Sequence, residues 1–473
     1  MNISKKTKVI CTIGPSTDSY EKIKGLADNG MNVARLNFSH GNHIQHQRRI
    51  DIIKQLNYEG YNIGILLDTK GPEIRVLPMV NNGVNLIEGN NLIISMNKVE
   101  LGNDKIISTT YPNLINMVKV GTIIKVDDGK LNFKVVEIDR KNNWIVTEIM
   151  NSGILKSNKS VGIPFTKLDL PFISQRDYED LLFACENKVD YIAASFTRSK
   201  QDILDMREVL NANGGGEIQI LAKIENYEGV ENIDEILEVV DGVMVARGDL
   251  GIELSFEDVP VIQRELVHKC RAKSKIIIVA TQMLESMIES PAPTRAEVGD
   301  VANAVYHGVD AIMLSGETAS GKYPLEACEM EARISKRIEA DCDYKQFAEN
   351  SYKNSIKDSN DSIAYSVVST AMLTKSKLIV CFSKTGNTAR RVSYYRPECP
   401  IISVSDDLMV RTKLALNYGV YPVFKNNYEI TLTDFERVAL EIANELNIEK
   451  GSNILLTGGD RIGNTNFMKI IKL

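Results

Sequence analysis

Five strand-like runs in this chain end in residues able to handle phosphate and metal ions. In LLDTKGPEIR, Leu66 to Arg75, an apolar run closes on a carboxylate, a hydroxyl and a lysine before a Gly-Pro break. MNVARLNFSHG (31 to 41), LAKIEN (221 to 226), VMVARGDLG (243 to 251) and ATQMLESM (280 to 287) end the same way. Side chains alternate across a strand, so Arg35, Asn37 and Ser39 share one face while Ala34, Leu36 and Phe38 take the other. Arg35 has the fork geometry for a phosphate, and the oxygens of Asn37, Ser39, Asp68 and Thr69 are hard ligands for a large cation. Lys223 and Glu225 repeat the device, alternating with Ala222 and Ile224, and Asp249 closes the next run beside Gly248. A carboxylate from each of two adjacent strands leaves room for water and substrate oxygens, as Mg2+ is held at phosphoryl-transfer sites. Thr281 adds a hydroxyl at the end of a further run. The plainer readings are an Arg35–Asp68 pair, a Lys223–Asp249 pair and a helix N-cap at Thr281; buried ion pairs, however, give little net stability and are an odd luxury at strand ends.

Eight strand-like runs are available to position these groups: TKVICTI (7 to 13), MNVARLNF (31 to 38), NIGILLDT (62 to 69), DYIAASF (190 to 196), IQILAKIE (218 to 225), GVMVARGD (242 to 249), KIIIVAT (275 to 281) and AIMLSGE (311 to 317). Each is followed by a helix-like segment or an insertion, which is the count of an α/β (β/α)8 TIM barrel. A doubly wound open sheet alternates similarly. The polar residues decide for the barrel, because they fall at C-terminal strand ends, where a closed barrel gathers them around one mouth. Between Gly71 and about Phe165 the helix period gives way to short alternating runs with Gly, Asn and Asp turns, an inserted all-β lid domain. After a helix near Pro324 to Ala340, DYKQFAENSYKNSIKDSND reads as a linker. KLIVCFS, CPIISVS, VYPVFK and SNILLTG then suit a C-terminal open-sheet α/β domain. The expected domains are 1–70 with 166–342 (barrel), 71–165 (a β-barrel lid) and 343–473 (regulatory).

At 473 residues, 43% hydrophobic and 25% charged, the chain can bury several cores. A net charge of -6 argues against a nucleic-acid surface, and no apolar run reaches membrane-spanning length. The start does not read as a signal peptide, and seven cysteines without a CxxC pair suggest a reducing compartment, the cytoplasm. Two motifs are decoys. GETASGKY, Gly316 to Tyr323, misses the P-loop pattern where Tyr323 replaces the small hydroxyl, leaving at most a loop whose amides bind a small anion. His40, His43 and His46 in HGNHIQH mimic zinc spacing but lack nearby cysteines, so a solvated helix face is expected, with His40 near a nucleotide.

Taken in order, these motifs closely resemble those of pyruvate kinase over essentially the whole chain. The resemblance implies transfer of the phosphoryl group of phosphoenolpyruvate to ADP, giving pyruvate and ATP. It implies that Arg35 binds the transferring phosphate, that Lys223 supplies charge in transit, and that Gly248, Asp249 and Thr281 line the phosphoenolpyruvate site. It places Mg2+ (or Mn2+) on Glu225 and Asp249, K+ on Asn37, Ser39, Asp68 and Thr69, and nucleotide phosphates near Arg75 and Lys159. Glu73 marks the K+-dependent type, where lysine marks members needing no monovalent cation. A homotetramer is implied too, and this chain ends too early for the extra C-terminal domain of some bacterial relatives.

The loop FSKTGNTARR places Ser383, Lys384, Thr385, Gly386, Asn387 and Thr388 between a strand and a helix, where free N–H groups favour a phosphate. It resembles the 6-phosphate pocket of fructose 1,6-bisphosphate-activated members. Glu445, however, stands roughly where bisphosphate-responsive animal members place arginine, with Arg461 as the available substitute. A phosphorylated effector with one phosphate, a sugar monophosphate or AMP, is therefore expected. Two rival readings are a Schiff-base aldolase acting through Lys223 and a metabolite sensor that has lost turnover.

Overall fold

The computed structural model describes residue 3 and residues 5–167, 169–355, 358–426, 431–459 and 464–473. Eight parallel strands close into a barrel in chain order: β1 (Lys8–Thr12), β2 (Met31–Asn37), β3 (Gly64–Asp68), β4 (Tyr191–Ala194), β5 (Gln219–Ile224), β6 (Gly242–Ala246), β7 (Ile276–Ala280) and β8 (Ala311–Leu314), which pairs back onto β1. The strands are apolar almost throughout because both of their faces are covered. Val9, Cys11, Ala34, Leu36 and Leu67 pack outward under the helices, while Ile10, Val33, Leu66, Leu221, Met244 and Met313 fill the interior.

The inner cluster also contains Ala415 and Leu416, from the C-terminal domain. Tyr191, the first residue of β4, donates its hydroxyl to Thr412 O at 3.1 Å and accepts the Leu416 N–H at 3.3 Å. Chain from another domain therefore plugs the N-terminal end of the barrel, opposite the mouth where the polar residues gather.

Two of the expected strands are shorter than their apolar runs. β6 stops where its pairing with β7 ends, at Ala246 opposite Ala280, and a helix α1 (Arg247–Glu253) begins at once. Gly248 and Asp249 thus stand in the first turn of a helix instead of at a strand end. β8 likewise gives way to a helical turn at Gly316–Ala319.

The insert between β3 and β4 is a six-stranded, mainly antiparallel sheet beside a two-stranded ladder joining Gly83–Leu86 to Gly153–Lys156, rather than one closed barrel. A short helix, Leu114–Met117, accompanies it, and Leu92, Ile94, Ile124, Phe133 and Ile145 form a core of its own. The stretch expected as a linker contains the helix Tyr344–Asn354. Its buried Tyr344, Phe347, Ala348 and Ser351 recur at i, i+3, i+4 and i+7, an apolar stripe masked by the polar residues between them.

The C-terminal sheet has strands β9 (Leu378–Phe382), β10 (Ile401–Ser405), β11 (Val420–Phe424), β12 (Asn453–Gly458) and β13 (Phe467–Lys472), in the order β11-β10-β9-β12-β13. The first four are parallel, as their continuous apolar runs suggest, and β13 is an antiparallel edge. β13 had no counterpart in the sequence reading because its residues alternate between half-buried and exposed, without the apolar run of an interior strand.

Candidate active site

Lys223, near the end of β5, sits among acids at the mouth. Its Nζ lies 3.1 Å from Asp68 Oδ1 and 2.8 Å from Glu225 Oε1, and donates to Ser195 Oγ at 2.8 Å. Its direct ion pairs are with these two carboxylates, not with Asp249. Asp68 Oδ2 accepts from Arg35 Nε at 2.6 Å, and Arg35 Nη1 donates to Thr12 Oγ1 at 2.9 Å. The Arg35–Asp68 pair thus forms as the plainer reading had it, but the same carboxylate also holds Lys223. Burial works against the charges of Asp68 and Lys223, yet Lys223 and Arg35 together hold Asp68 below the usual carboxylate range. Asp68 and Glu225 likewise outweigh burial at Lys223 and hold its ammonium above the ordinary lysine value. A Schiff-base nucleophile needs a neutral amine, so this environment opposes the aldolase reading.

Burial pushes Glu225 up to about 7, opposed by Lys223 and assisted by Asp249. Asp249 is raised as well, by burial first, with the Glu225 carboxyl as a close neighbour. Two carboxylates side by side repel each other unless one takes up a proton. A divalent cation removes the same repulsion without protonation, so this pair fits Mg2+ or Mn2+. Among the described residues no group of three or more His, Cys, Asp or Glu is placed to hold a metal ion. Glu73 faces the same cleft, raised by burial and paired through Oε2 with Arg75 Nη2 at 2.7 Å.

Asn37 and Asp68 are direct neighbours across the β2–β3 ladder, which places the oxygen donors Asn37, Ser39, Asp68 and Thr69 on adjoining strand ends. Asn37 Oδ1 accepts the Ser39 N–H at 3.0 Å, and Thr69 Oγ1 accepts the Ser195 N–H at 3.2 Å. An all-oxygen set of this kind fits a hard monovalent ion.

Thr281, after β7, is not a helix N-cap. It adopts φ +70°, followed by Gln282 at +54°, in the left-handed region that β-branched residues avoid. Thr281 Oγ1 accepts the Gly248 N–H at 2.8 Å and donates to Ala280 O at 2.6 Å, while Arg247 Nη2 donates to Thr281 O at 2.6 Å. Arg247 is anchored in turn on Asp300, 2.6 Å away. Strain of this sort persists only where the surroundings over-determine it, and it clusters at functional sites. Phe196 is a second case: at φ +55° it donates its N–H to Glu225 Oε2 at 2.6 Å.

The insert leaves the barrel through Gly71, at φ +69°, where a Cβ would meet Ser195 O at 2.8 Å. Arg75 Nη1 donates to Asn158 O at 2.6 Å, and Lys159 Nζ pairs with Asp127 at 2.7 Å. A bridge between Arg75 and Ser160 brings Arg75 and Lys159 to one edge of the insert. Below them a cleft between insert and barrel is lined by Glu73, Gly162, Phe196, Glu225, Asp249 and Glu253. Sequence reasoning missed Ser195, Phe196, Thr12 and Arg247. Ser195 follows an apolar strand as Asp68 ends one, and that pattern was the available signal; the other three act through backbone geometry or through partners distant in sequence.

The decoys resolve differently from expectation. In the 316–323 loop the amides of Ala319, Ser320 and Gly321 bond to Ser315 O and Gly316 O, and buried Glu317 accepts the N–H groups of Leu284 and Ser315, so these five amides are committed within the protein. The helix face bearing His43 and His46 is solvated only in part, at His43. His46 is buried and stacks on Phe38, and His43 bonds Asp180 at 2.6 Å. His40 is exposed, with its carbonyl accepting from His46 Nε2 at 2.9 Å.

In the C-terminal loop Gly386 takes φ +80° and opens the helix Asn387–Tyr394 without a side-chain cap. Lys384 pairs with Asp406 at 3.3 Å, and Ser383 and Thr385 are at least partly exposed. Thr388 is buried, its hydroxyl bonded to Thr465 Oγ1 at 2.8 Å. Glu445 pairs with Lys425 at 2.8 Å, and Arg461 lies outside the described residues.

Comparison with known proteins agrees with this geometry. Residues 4–328 match the family model for the pyruvate kinase barrel domain, and residues 361–471 match that for the pyruvate kinase alpha/beta domain. The chain is 46% identical over 469 residues to a pyruvate kinase of Bacillus licheniformis, covering 98% of this chain and 80% of that protein. It is 44% identical over 481 residues to a pyruvate kinase of Clostridium perfringens, covering 99% of this chain and 100% of that one. The crystal structure of a pyruvate kinase from Cryptosporidium parvum superposes with a TM-score of 0.94 at 38% identity, covering 99% and 96% of the two chains. A closed barrel carrying an inserted sheet, an acid pair beside a charged lysine at its mouth, and matches along both parts of the chain lead to one conclusion: this chain belongs to the pyruvate kinase family.

Proposed function

We propose that this chain transfers the phosphoryl group of phosphoenolpyruvate to ADP, giving pyruvate and ATP. The observation that carries the proposal is a charged Lys223 bonded to Glu225, with the Asp249 carboxyl close beside that acid at the barrel mouth. In-line transfer needs positive charge around the equatorial oxygens and little covalent help. Arg35 and Lys223 supply that charge from rigid strand positions, held in place by Asp68. Gly248, Asp249 and Thr281 line the phosphoenolpyruvate side, and Asn37, His40, Arg75 and Lys159 meet the nucleotide. When bound, Mg2+ or Mn2+ at Glu225 and Asp249 and K+ at Asn37, Ser39, Asp68 and Thr69 would neutralise charge on the phosphoryl oxygens.

The bond between phosphorus and the enol oxygen breaks as a β-phosphate oxygen of ADP bonds to phosphorus. The electron pair stays on the enol oxygen, and the enolate then takes a proton at its terminal carbon. Thr281, its hydroxyl fixed between Gly248 N and Ala280 O, stands where the proton relay ends.

The reading extends to a cytoplasmic homotetramer with domains at 1–70 plus 166–342, 71–165 and 343–473. Separate buried cores support that division, seven free cysteines support a reducing compartment, and among the described residues no helix is long and apolar enough to cross a membrane. A sugar monophosphate or AMP binds Ser383 to Thr388, with Thr388 acting through the loop's shape. A coupled assay for pyruvate with phosphoenolpyruvate, ADP, Mg2+ and K+ tests the central claim; no turnover by folded protein overturns it.

A further inference from the structure

At the plugged end of the barrel, opposite the mouth, a cavity of about 160 Å³ separates the barrel from the C-terminal domain. The barrel contributes Arg271, Lys275, Asp241 and Asp310, and the C-terminal domain contributes Arg390, Arg396 and Asn417. Both carboxylates are already taken. Asp310 pairs with Arg396 at 2.9 Å, and Asp241 pairs with Arg207, outside the cavity, at 2.8 Å.

Arg271, Lys275 and Arg390 have no acid partner among the described residues. Lys275 Nζ donates only to Val240 O at 2.7 Å. Arg271 reaches His307 O at 3.3 Å and Ser351 Oγ at 3.2 Å, and its Nε is buried without a partner. Arg390 Nε is also buried without a partner, and its guanidinium makes no hydrogen bond or ion pair with described residues. Asn417, only 7% exposed, has an unpartnered amide oxygen and no side-chain hydrogen bond to described residues. Burial, with Arg396 nearby, lowers Arg271 to about 10, as expected where cations crowd together. Burying cations without counter-charge is unfavourable, and a planar guanidinium is best satisfied by an oxyanion.

We propose that this cavity binds a small phosphate-class oxyanion between Arg271 and Lys275 of the barrel and Arg390 and Asn417 of the C-terminal domain. The anion bridges two domains, so its binding free energy adds to their docking, and anything that changes the docking changes its affinity by the same factor. Its source is free phosphate or the phosphate of a small ester. The size of the cavity restricts the second choice to compact molecules.

Two measurements test this. Crystals of the wild-type protein are soaked in tungstate, a heavy tetrahedral dianion, and anomalous peaks are located. Calorimetric titrations with inorganic phosphate and, separately, glycerol 3-phosphate compare wild type with Arg390→Gln and Lys275→Gln/Arg390→Gln. The expected result is a peak between Arg271 and Arg390 and a loss of at least tenfold in the affinity of one site in the variants, with the KM for phosphoenolpyruvate unchanged. The probe that binds more tightly identifies the source. Should the double variant fail to fold, Arg390→Lys, which keeps the charge and loses the fork, is expected to weaken the site in part. Peaks at the barrel mouth with none in this cavity overturn the proposal. So does a cavity peak accompanied by identical isotherms for wild type and variants, which means an adventitious ion only.

Discussion

Replacing Lys223 with methionine separates its two tasks, neutralising acids and stabilising the phosphoryl group in transit. At separations near 3 Å and an effective dielectric of 20, each of its contacts with Asp68 and Glu225 is worth about 5 kcal/mol before desolvation. Removing one member of a buried pair ordinarily costs about 3–5 kcal/mol net. Here the loss is smaller. Asp68 keeps Arg35 and Ser195 as partners, and Glu225, already at about 7, takes up a proton. The fold is therefore expected to lose roughly 2–3 kcal/mol and survive. The chemical step loses a donor aimed at developing charge, about 3–4 kcal/mol, or a 10²–10³-fold fall in kcat. Glu225 must also shed a proton before it can hold metal, so half-saturation by Mg2+ rises about tenfold per unit of added pKa. The assay is pyruvate formation by folded Lys223→Met over pH 6 to 9 and a Mg2+ series. Raising the pH should recover metal affinity while kcat stays low, and exchange of pyruvate methyl protons should persist. A kcat within about threefold of wild type, or an unchanged Mg2+ requirement near neutral pH, refutes the reasoning.

Other perturbations have equally definite outcomes. Glu225 moves from 4.5 when unfolded to about 7 when folded, so the metal-free fold binds the extra proton, and its contribution, up to about 3 kcal/mol, is full below the lower value and lost as pH rises through the upper one. Chemical denaturation with and without Mg2+ at pH 5 and 7.5 should show that loss in wild type and a smaller one in Glu225→Gln, where Asp249 and Glu73 still titrate upward but the largest contributor is gone. Wild type should require K+, and Glu73→Lys should not, because an ammonium in the same cleft replaces the ion's charge; full wild-type activity with only a tetraalkylammonium cation present counts against this. AMP or a sugar monophosphate should lower the half-saturating phosphoenolpyruvate concentration at least about fivefold, an effect absent in Lys384→Ala/Thr385→Ala. Strong activation by fructose 1,6-bisphosphate alone, or an unchanged response in the double variant, defeats the effector reading.

Much of the architecture was legible in the chain itself. Eight apolar runs ending in polar residues specify a barrel and its chemical end, since a strand covered on both faces must be apolar and its C-terminal end is where the mouth opens. Short alternating runs marked the insert, and Arg35, Asp68, Lys223 and Glu225 announced themselves by breaking apolar strands. Beyond the Arg35–Asp68 pair, which the adjacent strand ends already suggested, tertiary structure decided who pairs with whom. Lys223 bonds Asp68 and Glu225 instead of Asp249 because β6 ends at Ala246 and the chain turns into a helix, a consequence of where β7 stops offering partners. The positive φ of Thr281 and Phe196 is imposed by Arg247, Gly248 and Glu225, contacts up to 34 residues away in sequence that no local pattern encodes. His46 and Tyr344 looked solvent-facing and are buried because Phe38 stacks on the first and Phe347 and Tyr418 pack against the second. Ala415 and Leu416, unremarkable in sequence, plug the barrel because its N-terminal end leaves a space that its own short strands cannot fill. Residue type and period record how a segment meets solvent on average; the partner, the strain and the charge balance of a site depend on which segments the fold brings together.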